Sequence, residues 1–228
     1  MNNTNHNLPF NVPDYARELK HGTTTAAISF DGGVAVATDR RASMGYMVAS
    51  PRVKKMYALD NKSMLTIAGL PSDALYLLKI MKAEMSLWEL NRGRPMTVKV
   101  SANLLSTIMY QQFRSYMPYF VQIMLVGVDA TGPHIFNFDA SGSVSEDPFS
   151  STGSGSPFAY GALEALYKDN MSQEEAMTAL AKALRSAVVK DIASGDGIDI
   201  ATITPKDGVV FYDDEELKRL LGKSYPFP

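Results

Sequence analysis

A threonine that follows a glycine at a break in composition can be a masked nucleophile, and Gly22-Thr23-Thr24-Thr25 has that form. Residues 1–22 carry Asn, Pro and isolated charges without a sustained apolar pattern. From Thr23 the chain becomes Thr-Thr-Thr-Ala-Ala-Ile-Ser-Phe, a β-leaning run that ends at Asp31-Gly32-Gly33. Were the chain cut after Gly22, Thr23 would carry a free amine beside its hydroxyl. That amine can act as base for the hydroxyl, which activates a threonine without a histidine. The same residues also suit the plain start of a strand, where threonine is favoured. Alone, they do not choose.

The rest of the inventory narrows the chemistry. The chain has no cysteine, which removes disulfides, thiolate nucleophiles and zinc–cysteine sites and fits a reducing compartment. Its three histidines are His6, His21 and His134, the first two within residues 1–22. His134 follows Gly132-Pro133 at an expected turn into a strand and reads as a solvated side chain. A Ser-His-Asp enzyme or a histidine-rich metal site would rest on that residue alone. The base of any enzyme here is therefore expected not to be histidine, and neither metal nor cofactor is expected. A net charge of −2 argues against general binding to nucleic acid or membrane, and 46% hydrophobic residues in 228 suffice for one domain of generous size. Residues 1–20 lack the apolar stretch of a signal peptide, and runs such as Val121–Val128 are too short to span a bilayer. A cytoplasmic protein is expected.

The elements that must position Thr23 follow from periodicity and turn signals. A strand over Thr23–Phe30 meets Asp31-Gly32-Gly33, a strong hairpin signal, and Val34–Asp39 returns antiparallel. A loop of two or three residues sets Asp39 opposite residue 24, 25 or 26, in the neighbourhood of Thr23. A second hairpin pairs Val53–Leu59 with Ser63–Gly69 across Asp60-Asn61-Lys62. Alternation places Lys55 with Val53, Tyr57 and Leu59, but does not say which face is buried more deeply.

Two helices are expected next. One runs over Asp73–Arg92, with Pro71-Ser72 as its cap and Leu75, Leu78, Met81, Met85 and Trp88 near one face. The other runs from about Thr97 to Met117. Strands recur at Val121–Val128, His134–Phe138 and Ser143–Glu146. The glycine-rich Ser151-Thr152-Gly153-Ser154-Gly155-Ser156 leads into a helix opened by Ser156-Pro157. This segment reads equally as a tight connection or as N–H groups and a hydroxyl aimed at an oxyanion or an amine. No phosphate-loop pattern accompanies it. A further helix opens with a capping box at Ser172–Glu175 and runs to about Ala193, with Asp191 in its last turn, where the macrodipole disfavours a carboxylate. Ile198–Thr204 and Val209–Tyr212 form a last hairpin, and a short helix follows from Asp213. Grouped strands and grouped helices argue an α+β class with antiparallel sheets, not a βαβ arrangement.

Taken in order, these residues resemble an archaeal-type proteasome β subunit, an N-terminal-nucleophile (Ntn) hydrolase. The resemblance covers the chain from Gly22 onward. It rests on Gly22-Thr23-Thr24-Thr25, Ala37-Thr38-Asp39-Arg40-Arg41, Lys54-Lys55, Ile67-Ala68-Gly69-Leu70, Ser151–Ser156 and Asp191-Ile192-Ala193-Ser194-Gly195. Each piece is weak, but six in the right order and spacing are specific. One departure is Gly69-Leu70-Pro71-Ser72-Asp73, where many relatives carry a second glycine before the aspartate.

The resemblance implies a four-layer αββα sandwich of two antiparallel sheets, the Ntn-hydrolase fold. It implies Thr23 as nucleophile, Asp39 and Lys55 as its acid and lysine partners, Ser154, Asp191 and Ser194 as supports, and the Gly69 N–H as oxyanion donor. Residues 1–22 become a propeptide released by autocatalysis at Gly22–Thr23, leaving 23–228 as the peptidase domain. Pocket positions fall near Ala42, Tyr57 and Ile67, small or apolar, which suggests cleavage after hydrophobic residues. The implied partners are further β subunits in a seven-membered ring, α subunits forming outer rings in an α7β7β7α7 particle, a regulatory AAA ATPase and unfolded polypeptide substrates. The competing readings are a non-catalytic ring subunit of the same fold and another Ntn hydrolase.

Overall fold

A computed structural model describes the chain from Gly22 to Gly222. The leader up to residue 21, with His6 and His21, lies outside the described residues. The strands are β1 (Thr24–Phe30), β2 (Gly33–Asp39), β3 (Ala42–Met44), β4 (Met47–Ser50), β5 (Met56–Ala58), β6 (Ser63–Gly69), β7 (Val121–Asp129), β8 (Gly132–Phe138), β9 (Val144–Glu146), β10 (Phe149–Gly153), β11 (Ile198–Thr204) and β12 (Gly208–Tyr212). The helices are α1 (Pro71–Arg92), α2 (Val98–Arg114), α3 (Ser156–Leu166), α4 (Gln173–Lys190) and α5 (Asp214–Leu221).

One five-stranded sheet has the order β10-β1-β2-β11-β12, the other β5-β6-β7-β8-β9, and β3 and β4 form a separate hairpin. Neighbouring strands pair antiparallel throughout. Alternation along β1 shows how the layers stack. Ala26, Ile28 and Phe30 pack with residues of α3 and α4, whereas Ala27 packs between the sheets with Val36, Met64, Met124 and Val126. The other face of the second sheet meets α1 and α2 through Leu65, Leu125, Leu77, Met81, Leu105 and Met109. The result is the α–β–β–α order expected of the Ntn fold.

Alanines set the separation on the side that matters for chemistry. Ala26, Ala35 and Ala37 on the sheet meet Ala176, Ala179, Ala183 and Ala187 on α4. Small side chains let a helix sit close to a sheet without voids. α4 therefore delivers its C-terminal end to the open end of β1, where Thr23 lies.

Several local expectations change. β10 was not expected as a strand, because Ser151 to Gly153 has loop composition; it pairs with β1 from Ile28↔Phe149 to Thr24↔Gly153. The N-cap of α1 is Leu70, with Pro71 at the first turn and no side-chain cap bond, so Ser72 does not cap it. The buried stripe of α1 is Ala74, Leu77, Leu78, Met81 and Met85, and Leu75 is exposed. α3 opens at Ser156, with Gly155 as its N-cap and no side-chain cap bond. Helix α4 stops at Lys190, and Asp191 is its extended C-cap, so its carboxylate is free to turn away from the helix end. His134 is not solvated: it sits in β8, stacks on Phe136 and bonds Glu146 at 2.6 Å and Thr131 at 2.8 Å.

Candidate active site

The hairpin register realises the first positioning step. Thr25 pairs with Thr38, which leaves Asp39 opposite residue 24. The Asp39 carboxylate then becomes a fully buried hub. One oxygen accepts Lys55 Nζ at 2.6 Å and the Thr24 N–H at 2.8 Å. The other accepts the N–H groups of Gly195 at 3.0 Å and Arg41 at 3.2 Å. A carboxylate with this many donors is well satisfied despite burial.

Lys55 precedes β5 and is 5% exposed. Its ammonium also donates to the Arg41 carbonyl at 2.5 Å and lies 3.5 Å from the Gly22 carbonyl oxygen. Burial pushes its pKa below the ordinary lysine range, against the pull of Asp39. Burial likewise pushes the Asp39 carboxyl upward, opposed by Lys55 and the Thr24 and Gly195 N–H groups. The buried pair thus sets the Lys55 amine between the Asp39 carboxylate and the Gly22–Thr23 linkage.

A second cluster gathers at the other side of Thr23. Asp191 Oδ2 accepts the hydroxyls of Ser154 at 2.6 Å and Ser194 at 2.7 Å. Ser154 Oγ in turn accepts the Thr23 N–H at 3.2 Å, and Ser194 Oγ lies 2.7 Å from Thr24 Oγ1. Ser154 reaches this point because Gly155 slips between β1 and α4: a Cβ there would stand 2.0 Å from Thr24 Oγ1 and 3.0 Å from the Ala187 Cβ. The extended Asp191 C-cap aims its carboxylate into the site, which answers the unfavourable placement read from sequence.

Thr23 sits between the clusters, 5% exposed, and its hydroxyl donates to the Gly22 carbonyl at 2.7 Å. Gly69 ends β6 beside Val121, and together with Ser154 it borders a cavity of about 680 Å³ whose wall includes Met117, Tyr119 and Phe120. Ala42, Tyr57 and Ile67 do not line that cavity. They belong to β3, β5 and β6, Ile67 pairing by its N–H with the Lys55 carbonyl at 2.9 Å. The Tyr57 hydroxyl donates to the Lys54 carbonyl at 2.9 Å.

Sequence reasoning missed Thr24 and the Arg41 carbonyl as parts of this site, and Ser43 as the partner of the Gly22 N–H beside it. The repeated threonines and the Arg-Arg pair after Asp39 were the available signals. Arg40 and Arg41 brace the loops: Arg40 joins Asp199 and Asp214, each at 2.7 Å, and Arg41 joins Asp196 at 2.7 Å. Among the described residues no group of His, Cys, Asp or Glu could hold a metal ion, and no helix is long and apolar enough to cross a membrane. His134 bonds to Asp129, Thr131 and Glu146, and none of these belongs to the Thr23 clusters.

Two antiparallel sheets between helix pairs define the N-terminal-nucleophile hydrolase fold. The family model described as Proteasome subunit matches residues 19–203. A proteasome subunit beta of Methanoregula boonei is 42% identical over 93% of this chain and 99% of its own length. One of Haloferax volcanii is 47% identical over 85% of this chain and 77% of its own, and one of Thermoplasma acidophilum 41% over 90% and 96%. The chain belongs to the proteasome subunit family, as a β subunit of the core particle and a threonine peptidase.

Proposed function

We propose that Thr23, once its amine is freed, is the nucleophile, with Lys55 and Asp39 serving its hydroxyl and Ser154, Asp191 and Ser194 serving its amine. The observation that carries this reading is that the two clusters flank Thr23, one bonded to Gly22 and Thr24 on either side of it and the other to its own N–H. In turnover Thr23 Oγ attacks a peptide carbonyl as the Thr23 amine takes the hydroxyl proton. The C–N bond breaks, the leaving amine receives that proton, and an ester on Oγ remains for water to hydrolyse. Lys55 eases deprotonation by its charge, and the Gly69 N–H is the donor for the oxyanion. Comparing particles assembled with α subunits, native against Thr23→Ala, tests the assignment. Peptide hydrolysis should fall at least about 10³-fold, and undiminished hydrolysis would refute it.

In the uncut chain the same hydroxyl attacks the Gly22 carbonyl. The Oγ–C bond forms, the Gly22–Thr23 C–N bond breaks, and the proton moves to the new amine. Water then releases residues 1–22 as a carboxylate. The short contact between Thr23 Oγ1 and the Gly22 carbonyl supports this route.

Membership of the family supports the wider setting: a seven-membered β ring, outer α rings in an α7β7β7α7 particle, an AAA ATPase feeding unfolded polypeptides, and a cytoplasmic location. Ala42, Tyr57 and Ile67 carry no charge, and we assign them to the pocket that selects the residue before the cleaved bond. On fluorogenic peptides varied at that residue, kcat/KM should be highest for apolar side chains. Preference for a basic or acidic residue would count against this pocket.

A further inference from the structure

Ser43 is a residue of this neighbourhood that the scheme above does not use. It lies in β3, is 4% exposed, and its Oγ accepts the Gly22 N–H at 2.9 Å. We propose that Ser43 is a positioning residue for release of the leader, holding the Gly22–Thr23 linkage for attack. This rests on the self-cleavage reading.

The argument begins with glycine's freedom. Gly22 needs to be glycine for space, since a Cβ there would stand 1.8 Å from the Cβ of Ala193. A glycine, however, rotates easily and does not hold its carbonyl in one direction. The structure compensates from outside the residue. The Gly22 carbonyl oxygen meets the Thr23 hydroxyl at 2.7 Å and Lys55 Nζ at 3.5 Å, while the nitrogen end is tied to Ser43. With both ends held, rotation about the intervening Cα–C bond is restrained, and the carbonyl stays beside the Thr23 hydroxyl. Such orientation lowers the barrier of a one-chain reaction.

The contact belongs to the precursor. A substrate residue with a side chain cannot take the place of Gly22, because Ala193 fills the space its Cβ needs. Substrates must therefore bind differently, and losing the Ser43 hydroxyl should affect leader release more than turnover.

The test follows Ser43→Ala, Ser43→Thr and native chains through assembly with α subunits. Intact mass is read against time for release of residues 1–22, and peptide hydrolysis is then measured per matured subunit. A neutral hydrogen bond corresponds to a loss of roughly five- to tenfold in rate. The ratio of release rate to turnover should fall by that factor in Ser43→Ala and recover in Ser43→Thr, which keeps the hydroxyl. Should Ser43→Ala fail to assemble, Ser43→Cys replaces it, and its weakly accepting sulfur should also lower the ratio. Release at the native rate, or equal slowing of release and turnover, would overturn the role of Ser43. Failure of the native chain to lose its leader would instead overturn the self-cleavage reading.

Discussion

Lys55→Ala should lower kcat for peptide hydrolysis by about 10²–10³-fold, the scale of losing one preorganised charged group at a reacting centre. Two effects add. The positive charge that serves the Thr23 hydroxyl disappears, and the buried Asp39 carboxylate keeps only the N–H groups of Thr24, Arg41 and Gly195. Lys55→Arg should not restore the native rate, since a planar fork cannot share the Asp39 oxygen and the Arg41 carbonyl as an ammonium does. The native pH profile carries a further sign. Activity that needs the Lys55 ammonium is present below its pKa and lost as pH rises through it. Burial lowers that pKa, so the alkaline limb should appear below the ordinary lysine range. In Asp39→Asn, where the opposing attraction is gone, any residual activity should decline at lower pH still. A native profile with no alkaline fall, or native kcat in Lys55→Ala, would remove Lys55 from the mechanism.

Gly22→Ala should slow leader release by about 10²-fold, the scale expected when a reacting group is displaced by about an ångström. Its new methyl would meet the Ala193 Cβ at 1.8 Å, and the Ala193 Cα and carbonyl oxygen at 2.7 Å each. Something must move, and the linkage at issue is held only by hydrogen bonds. Adding Ala193→Gly removes the nearest of the three contacts and leaves the other two, so it should recover part of the rate. Intact-mass time courses of both variants check this. Release from Gly22→Ala at the native rate would show that the linkage has room the structure does not provide.

Much of the site was legible in the chain because its parts are placed by short-range geometry. Asp31-Gly32-Gly33 forces a tight hairpin, and hairpin counting alone carried Asp39 back to the first threonines. The scarcity of histidine pointed to the amine as base. Lys55 was harder, since alternation named its neighbours without saying where the charge goes; the second sheet, packed face to face on the first, brings it to Asp39. Local composition misled at β10, where Ser, Thr and Gly read as loop yet serve as a strand beside β1, because small side chains fit there. It misled at His134, whose turn-like approach hid partners on Asp129 and Glu146. Ser43 has no sequence signal beyond its nearness to Arg40 and Arg41. Only the fold brings it to Gly22.

Intact mass of the β subunit recovered from assembled particles, native beside Thr23→Ala, tests the account most directly. The native subunit should weigh residues 23–228 and hydrolyse peptides, while Thr23→Ala should retain residues 1–22 and hydrolyse none. Native particles that are active with the leader still attached, or a Thr23→Ala subunit cleaved after Gly22 in the absence of native chains, would contradict it.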